Sequence, residues 1–246
     1  MKTVFKRTPS LKECVTHYCP GCGHGIAHRL IAEAIDELEI RDRTIGIAPV
    51  GCAVLAYNYL DVDMVEVAHG RAPAVATGMK RTNPEKIIFS YQGDGDLAAI
   101  GTAEIIHAAH RAEQITVIFI NNAVFGMTGG QMAPTTVLGQ VTATTPRGRQ
   151  AAGEGYPLQI SELLAILPGT VYVERCTLYN PAQIRNTKRA IKYAFELQIN
   201  NAPGLSLVEV LSPCPTYWRM SPAKAMEWIE KEMVKAFPLG KLKDVK

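Results

Sequence analysis

The sequence lacks the long apolar runs and the strong charge bias that mark membrane proteins and nucleic-acid-binding proteins. No run of about 18 apolar residues occurs, and no apolar core of signal-peptide length follows Met1. The net charge of +3 is too small to indicate nucleic-acid binding, and no basic helix is interleaved with aromatic residues. We therefore expect a cytoplasmic protein with no membrane and no nucleic acid among its partners.

The sequence also lacks linkers, low-complexity stretches and internal repeats. With 246 residues and 47% hydrophobic content, the chain can bury a substantial core as one large domain. We predict a single domain over residues 1–246, with its core at about 14–215. A C-terminal helix and a solvated, lysine-rich tail are expected after residue 220.

Strand-like apolar runs alternate with helical patterns along the chain. Strands are predicted near residues 44–49, 64–68, 86–92, 115–120, 170–175 and 205–211. Helical spacing is clearest at residues 24–39, 97–111 and 181–199. This alternation predicts an α/β fold, a single three-layer domain with a mostly parallel sheet and helices on both faces.

Two polar motifs stand at the ends of neighbouring predicted strands. Gly93-Asp94-Gly95 ends one apolar run, and Asn121-Asn122 ends the next. Either motif alone is a common turn or loop start, but their joint occurrence one helix and one strand apart favours a shared site. A carboxylate and a carboxamide supply the hard oxygen ligands that suit a magnesium ion carrying a diphosphate. The predicted helix after Asp94 would present its first N–H groups to that anion.

The six cysteines include a C-x-x-C loop at Cys19 and Cys22. Cys52 and Cys214 each follow a strand-like run beside Gly or Pro, so they are candidate partners for the loop. Four such thiolates suit a [4Fe-4S] cluster. Spacing alone also leaves open a four-cysteine zinc site and a redox-active disulfide. Cys14 and Cys176 are interpreted as structural residues.

Together these motifs resemble the thiamine-diphosphate-binding β subunits of the 2-oxoacid:ferredoxin oxidoreductases, from Tyr18 to about Pro215. The resemblance implies the diphosphate-binding type of the thiamine-diphosphate fold. It implies magnesium ligands at Asp94, Asn122 and the Val124 carbonyl. The implied [4Fe-4S] ligands are Cys19, Cys22, Cys52 and Cys214. The residues implied to line the cofactor are Gly51, Ala53, Thr77, Gly95, Asp96, Gly126 and Met127.

Two histidines are candidate catalytic residues. His24 follows the cysteine loop and would lie between cluster and thiamine, although it is equally a candidate helix cap. His69 stands with Arg71 at a strand end, where anionic ligands bind, and the alternative is again a helix cap. His107 and His110 have metal-pair spacing without a further ligand, so solvent or packing roles are expected. Glu104 lies ten positions beyond Asp94, too far along the helix to act on the thiamine.

The chain lacks the second, pyrimidine-binding domain that carries the thiamine-activating glutamate in this family. We therefore expect the catalytic centre at an interface with an α subunit and expect this chain alone to be inactive. The family also implies a γ subunit and a ferredoxin-like δ subunit. Six cysteines cannot supply the eight of a two-cluster ferredoxin module, so onward electron transfer must use another subunit or a soluble ferredoxin.

The resemblance implies oxidative decarboxylation of a 2-oxoacid to acyl-coenzyme A and carbon dioxide. The segment 101–104 and the loop 131–149 look most like members that use branched-chain 2-oxoacids or 2-oxoglutarate rather than pyruvate. No lysine follows Cys52 closely, and we place 2-oxoisovalerate ahead of 2-oxoglutarate. Two rival classes are a thiamine-dependent decarboxylase component with structural zinc and an electron-carrier subunit without catalysis.

Overall fold

The computed structural model describes residues 6–245, which are arranged around a seven-stranded sheet. The strands are β1 (Thr44–Pro49), β2 (Asp63–Val67), β3 (Ile87–Gly93), β4 (Thr116–Asn121), the short pair β5 (Val124–Phe125) and β6 (Gln131–Met132), β7 (Thr170–Thr177), β8 (Leu205–Leu211) and β9 (Gly240–Asp244). The helices are α1 (His24–Glu37), α2 (Ala56–Tyr59), α3 (Ala72–Thr82), α4 (Thr102–His110), α5 (Ala151–Glu154), α6 (Ile160–Ala165), α7 (Pro181–Ile199), α8 (Pro215–Trp218), α9 (Pro222–Trp228) and α10 (Val234–Ala236).

The sheet order is β2-β1-β3-β4-β8-β7-β9, and every neighbouring pair is parallel except β7 with β9. All six predicted strands exist within two residues of their expected bounds. Five of them are runs of mostly apolar, buried residues, whereas β2 at the sheet edge is only partly buried. The predicted mostly parallel α/β fold is confirmed. The prediction of a solvated tail was wrong for residues 240–244, which form the edge strand β9 and pair antiparallel with β7.

Helices cover both faces of the sheet, as predicted. On one face, α1 and α7 pack against strand residues such as Phe89 and Val208. On the other, α3, α4 and α6 pack against Ile88 and Val117. Phe89 and Ile88 are consecutive on β3, and because side chains alternate across a strand they enter opposite layers. Residues from the C-terminal helices form a third cluster against Val124 and Cys214.

The helix predicted at 97–111 differs in form from the expectation. The chain after Asp94 makes a π-helical turn at Gly95–Ile100, and the regular helix α4 begins only at Thr102. The Asp94 side chain accepts a hydrogen bond from the Gly95 N–H and so caps this turn. Wide turns of this kind often occur at functional sites.

The strand order reverses direction at β1, since β2 lies on one side of it and β3 on the other. In open α/β sheets, ligands bind beyond the carboxyl ends of the strands at such a reversal. Here those ends carry Gly51, Cys52 and Asp94. No helix among residues 6–245 is long and apolar enough to span a membrane.

Candidate functional site

Asp94 is a buried carboxylate at the end of β3. One of its oxygens, Oδ2, accepts a hydrogen bond from the Thr135 hydroxyl at 2.8 Å, and Oδ1 accepts one from the Gly95 N–H at 2.8 Å. Burial raises the pKa of Asp94 to about 7, although these hydrogen bonds act in the opposite direction. No cationic side chain of residues 6–245 forms an ion pair with it. The site therefore presents a carboxylate without a countercharge.

The two asparagines after β4 have different roles. Asn121 donates from Nδ2 to Glu209 at 2.7 Å and is fully buried, so its side chain is part of the structural core. Asn122 lines the cavity beside Asp94. The Asn122 carbonyl accepts the indole N–H of Trp218 at 2.9 Å, which fixes this backbone. Ala123, the next residue, has φ of 59°, an uncommon conformation for a residue with a side chain and one that concentrates at functional sites.

A glycine-containing turn closes the cavity. Val124 and Phe125 form a short hairpin with Gln131 and Met132, and the turn between them carries Gly126 and Met127. A Cβ added at Gly95 would lie within 2.9 Å of three ring carbons of Phe125. A Cβ at Gly126 would lie 3.2 Å from the Cys52 sulfur. Close packing therefore leaves no space for a side chain at Gly95, whereas a Cβ at Gly126 would need only a small shift of the Cys52 side chain.

His69 is oriented by a buried carboxylate. Its Nδ1 lies 2.6 Å from Asp96 Oδ1, and the same oxygen accepts the Gly70 N–H at 2.6 Å. The other oxygen of Asp96 accepts the Gln92 side-chain amide at 2.6 Å. Because Asp96 is almost fully buried, the imidazole is held at the cavity wall in one orientation.

The four predicted cluster cysteines line a second cavity, and they are Cys19, Cys22, Cys52 and Cys214. Burial raises the thiol pKa of Cys22 and Cys52 to about 11 and that of Cys214 to about 12, and neighbouring cysteines add to each shift. Deprotonation of such thiols requires a bound cation. Within residues 6–245, no group of three or more His, Cys, Asp or Glu side chains is positioned to hold a metal ion as it stands.

The two cavities share a wall. His24, Cys52, Asn122 and Gly126 line both of them. The ring of His24 stacks on Tyr18 at 4.7 Å between centroids, and its Nδ1 lies 2.5 Å from the Tyr91 hydroxyl. Burial lowers the pKa of His24 to about 3, so this imidazole is neutral. The thiol site and the carboxylate site are thus direct neighbours.

The structure brings together nearly all the predicted site residues. Those lining the first cavity are His24, Gly51, Cys52, Ala53, His69, Asp94, Gly95, Asp96, Asn122, Val124, Gly126 and Met127. Thr77 is the exception, because it lies inside α3 and donates its hydroxyl to the Pro73 carbonyl rather than lining the cavity. Its place beside the diphosphate stays a prediction, which the lining of this cavity does not support.

Other residues that the sequence analysis discussed lie outside the first cavity. Arg71 occupies the N-cap position of α3, which is the alternative role given above, and it pairs with Glu104 and does not line the cavity. His107 and His110 are exposed on α4. Cys176 is buried in β7, and Cys14 is exposed. The expectation that Glu104 does not act on a cofactor agrees with its ion pair.

Several residues of the site carried no readable sequence signal. Thr135 supports Asp94 from a loop 41 positions away, and Trp218 supports Asn122 from 96 positions away. Tyr91 and Gln92 lie within the predicted strand β3, where they read as ordinary strand residues. The only available cue was that all four can form hydrogen bonds.

Both implied cofactors fit the residues that are present. Asp94, with no cationic partner in the described chain, has an oxygen site for magnesium beside Asn122 and the Val124 backbone. Gly93 would meet no atom within 4 Å if a Cβ were added, so its Cα borders open space in the first cavity. Four thiols around the adjoining cavity form the donor set that an iron-sulfur cluster requires.

Comparison with known proteins agrees with this geometry. Residues 49–210 match the family described as thiamine pyrophosphate enzyme, C-terminal TPP binding domain. The chain is 52% identical over 241 residues to ketoisovalerate oxidoreductase subunit VorA of Methanothermobacter thermautotrophicus, which covers 98% of this chain and 50% of VorA. It is 39% identical over 216 residues to 2-oxoglutarate synthase subunit KorB of Archaeoglobus fulgidus, which covers 88% of this chain and 76% of KorB.

A solved structure shows the same fold. The 2-oxoglutarate:ferredoxin oxidoreductase from Magnetococcus marinus, with 2-oxoglutarate, coenzyme A and succinyl-CoA bound, matches with a TM-score of 0.77 and 26% identity. The match covers 99% of this chain and 86% of that one. The chain spans about half the length of the VorA proteins it matches. The resemblance read from the motifs is confirmed, and the chain belongs to the thiamine pyrophosphate enzymes and, among them, to the family of 2-oxoacid:ferredoxin oxidoreductase subunits.

Proposed function

We propose that this chain is the thiamine-diphosphate-binding subunit of a cytoplasmic 2-oxoacid:ferredoxin oxidoreductase. The reaction is oxidative decarboxylation of a 2-oxoacid to acyl-coenzyme A and carbon dioxide, with electrons passing through a [4Fe-4S] cluster to a ferredoxin. The observation that carries the proposal is the wall common to the two cavities, where Cys52 and Asn122 face both a thiol site and a carboxylate site. Electron transfer from the organic cofactor to a cluster requires this adjacency.

In the carboxylate cavity, Asp94, Asn122 and the Val124 carbonyl hold magnesium, and through it the diphosphate. Thr135 and Gly95 keep the Asp94 oxygens in place by hydrogen bonds. His69, held by Asp96, contacts the bound cofactor from the side of β2. When bound, thiamine diphosphate supplies the carbanion chemistry that cleaves the carboxylate from the 2-oxoacid.

In the thiol cavity, Cys19, Cys22, Cys52 and Cys214 hold the cluster. A zinc site would draw four sulfurs to about 2.3 Å from one point, whereas an iron-sulfur cluster fills the space between its ligands. The thiols surround a cavity, which favours the cluster. Cys19 is exposed, so the loop offers a short route for electrons to an external ferredoxin or a ferredoxin-like δ subunit.

The other half of the active site comes from an α subunit with a pyrimidine-binding domain, and a γ subunit completes the assembly. Val50 and Met127, on the rim of the first cavity, are apolar and exposed to 38% and 46%. Exposed apolar residues at a cavity mouth favour coverage by another protein surface. The α subunit therefore brings the thiamine-activating glutamate to this mouth.

The preferred substrate is 2-oxoisovalerate, ahead of 2-oxoglutarate. The support is the higher identity to the ketoisovalerate oxidoreductase subunit, 52% against 39% for the 2-oxoglutarate synthase subunit. The sequence segment after Cys52 is apolar and carries no lysine to bind a second carboxylate. A branched, apolar 2-oxoacid side chain suits such surroundings.

The test is anaerobic purification of the native complex, followed by measurement of coenzyme-A-dependent reduction of ferredoxin with a panel of 2-oxoacids. We expect bound iron, acid-labile sulfide, thiamine diphosphate and magnesium, and activity highest with 2-oxoisovalerate. Cys52→Ala should lose iron and activity, whereas Cys176→Ala, at the buried thiol in β7, should keep both. The chain without its partner should bind cofactor and show no turnover.

Two outcomes would contradict the proposal. Zinc without iron would favour a decarboxylase component with structural zinc. A complex with no thiamine diphosphate, whose turnover survives Asp94→Ala, would favour an electron-carrier subunit. A complex that reduces ferredoxin fastest with 2-oxoglutarate would overturn only the substrate assignment.

A further inference from the structure

Tyr91 and His24 form a buried hydrogen-bonded pair at the wall between the two cavities. Tyr91 is fully buried on β3, three residues before Asp94, and its hydroxyl lies 2.5 Å from His24 Nδ1. His24 begins α1, two residues after Cys22. The pair thus links the strand that carries the carboxylate to the loop that carries two of the thiols.

The hydrogen bonds open to Tyr91 decide whether its hydroxyl or His24 Nδ1 is the donor. A tyrosine hydroxyl has one proton to donate, and among residues 6–245 the Tyr91 hydroxyl has no hydrogen-bond partner except His24. If Nδ1 carried the imidazole proton, the Tyr91 O–H would be left without an acceptor in the core, which costs about 1–3 kcal/mol. Tyr91 therefore donates, His24 Nδ1 accepts, and the imidazole proton resides on Nε2.

The remaining nitrogen faces the functional space. The two nitrogens lie on either side of Cε1 and their bonding directions diverge widely, so Nε2 does not face the Tyr91 hydroxyl that contacts Nδ1. No described residue makes a hydrogen bond to Nε2, and His24 lines both cavities. Stacking on Tyr18 and edge contact with Tyr91 hold the ring in place. A fixed N–H donor therefore stands where cofactor and cluster meet.

We propose that Tyr91 is a positioning residue that locks His24 as an Nε2–H donor to the carbonyl oxygen of the bound 2-oxoacid. Negative charge develops on this oxygen during the reaction, and a preorganised neutral donor stabilises it without reorganisation. The kinetic part of this proposal rests on the proposed function. The tautomer of His24 does not, and it is measurable on the full chain without substrate.

The first experiment determines the tautomer by long-range proton–nitrogen NMR of the full chain labelled with ¹⁵N-histidine and free of cluster. In the wild-type chain we expect a single tautomer for His24 with the proton on Nε2. Tyr91→Phe keeps the ring packing but removes the hydroxyl, and it should give a mixture of both tautomers. Tyr59→Phe is the matched control, because it removes a hydroxyl that lies 2.7 Å from Nδ1 of a different histidine, His17.

The second experiment measures steady-state turnover of the intact complex. Tyr91→Phe should lower kcat by about three- to tenfold, the equivalent of one neutral hydrogen bond, with KM unchanged. Tyr59→Phe should leave kcat unchanged. Two substitutions at His24 distinguish the roles of its two nitrogens. In His24→Gln the amide N–H reaches the position of Nε2, whereas in His24→Asn it reaches only the position of Nδ1. The kcat of His24→Gln should therefore be at least about tenfold higher than that of His24→Asn.

Several results would overturn the proposal. A wild-type His24 protonated on Nδ1 would refute the hydrogen-bond assignment, and this measurement needs no variant to fold. Equal kcat for His24→Gln and His24→Asn would refute the donor role. A changed cluster midpoint potential in Tyr91→Phe with unchanged kcat would reassign the donor to a cluster sulfur. A complex without 2-oxoacid activity would refute the proposed function but leave the tautomer result standing.

Discussion

The contact between Gly95 and Phe125 gives a prediction whose size follows from the structure. An alanine at position 95 would place its Cβ within 2.9 Å of Cδ1, Cε1 and Cζ of the Phe125 ring, where real Cβ atoms essentially never lie. The backbone of Gly95 does not require glycine, since its φ is not among the positive values. The effect of Gly95→Ala is therefore steric and acts on one ring.

Relief of this overlap requires movement of Phe125, which forms a two-residue strand with Val124, the residue whose carbonyl is proposed to bind magnesium. Overpacking of this kind costs about 1–3 kcal/mol. Phe125 lines the cofactor cavity, so its displacement also changes the binding site. We expect Gly95→Ala to lower the free energy of unfolding by about that amount and to weaken thiamine diphosphate binding by at least about tenfold.

The assays are urea denaturation followed by circular dichroism, and isothermal titration of thiamine diphosphate with magnesium. Gly78→Ala is the control, because a Cβ there meets no atom within 4 Å and the residue lies inside α3. Replacement of Phe125 by Leu in the Gly95→Ala background should recover part of both losses. Strictly additive effects of the two substitutions would refute the steric explanation.

Three further predictions concern other contacts. Thr135→Val removes the hydroxyl that donates to Asp94 Oδ2. Titration calorimetry should show magnesium-dependent cofactor binding weakened by about 1.5–3 kcal/mol, with the fold of the cofactor-free chain intact. Unchanged affinity would contradict the role of Thr135. Arg175→Met leaves Glu209 buried without its cation, so urea denaturation should show a free energy of unfolding lowered by about 3–5 kcal/mol. Adding Glu209→Gln should restore part of that loss. Lys231→Ala, at an exposed ion pair, should have no measurable effect. The hydrogen bond from Lys188 lowers the pKa of Glu37, so the pair stabilises the fold above the carboxyl's ordinary pKa of 4.5 and ceases to do so as pH falls through the lowered value. Lys188→Met should therefore lower the free energy of unfolding by under about 1 kcal/mol at pH 7, and its difference from wild type should vanish in acid. A difference that grows in acid would contradict this explanation.

The sequence predicted the parallel sheet because each central strand is a short run of residues buried on both faces. It also predicted α7 at its observed bounds, since Asn180 caps that helix and its apolar residues repeat at helical spacing. It missed β9, because a strand at the sheet edge needs few apolar residues and Lys241 and Lys243 read as solvated. It also missed the π-helical turn after Asp94, in which the Gly101 N–H donates to the Asp96 carbonyl five residues before it, because no periodicity in the sequence marks such a bond.

Some positions of site residues could be predicted from the sequence, and others required the structure. Motifs at strand ends could be placed in advance, because the carboxyl ends of parallel strands necessarily share one edge. His69, Asp94 and Asn122 met this condition. Thr77 did not, because its segment is inside a helix where the hydroxyl bonds the preceding turn. The distinction between Asn121 and Asn122 also required the structure, since only the position of Glu209 shows which of them turns into the core.

The sequence by itself indicated the family of the chain, through the resemblance of its motifs. It also determined the parallel sheet, because the sheet follows from local patterns of burial and spacing. Only the tertiary structure decided that the thiol and carboxylate cavities share a wall, and that Tyr91, Thr135 and Trp218 support residues lining the two cavities. The physical reason is distance along the chain. Contacts between side chains up to 96 residues apart depend on how helices and loops cross the strand ends, and no local pattern encodes that crossing.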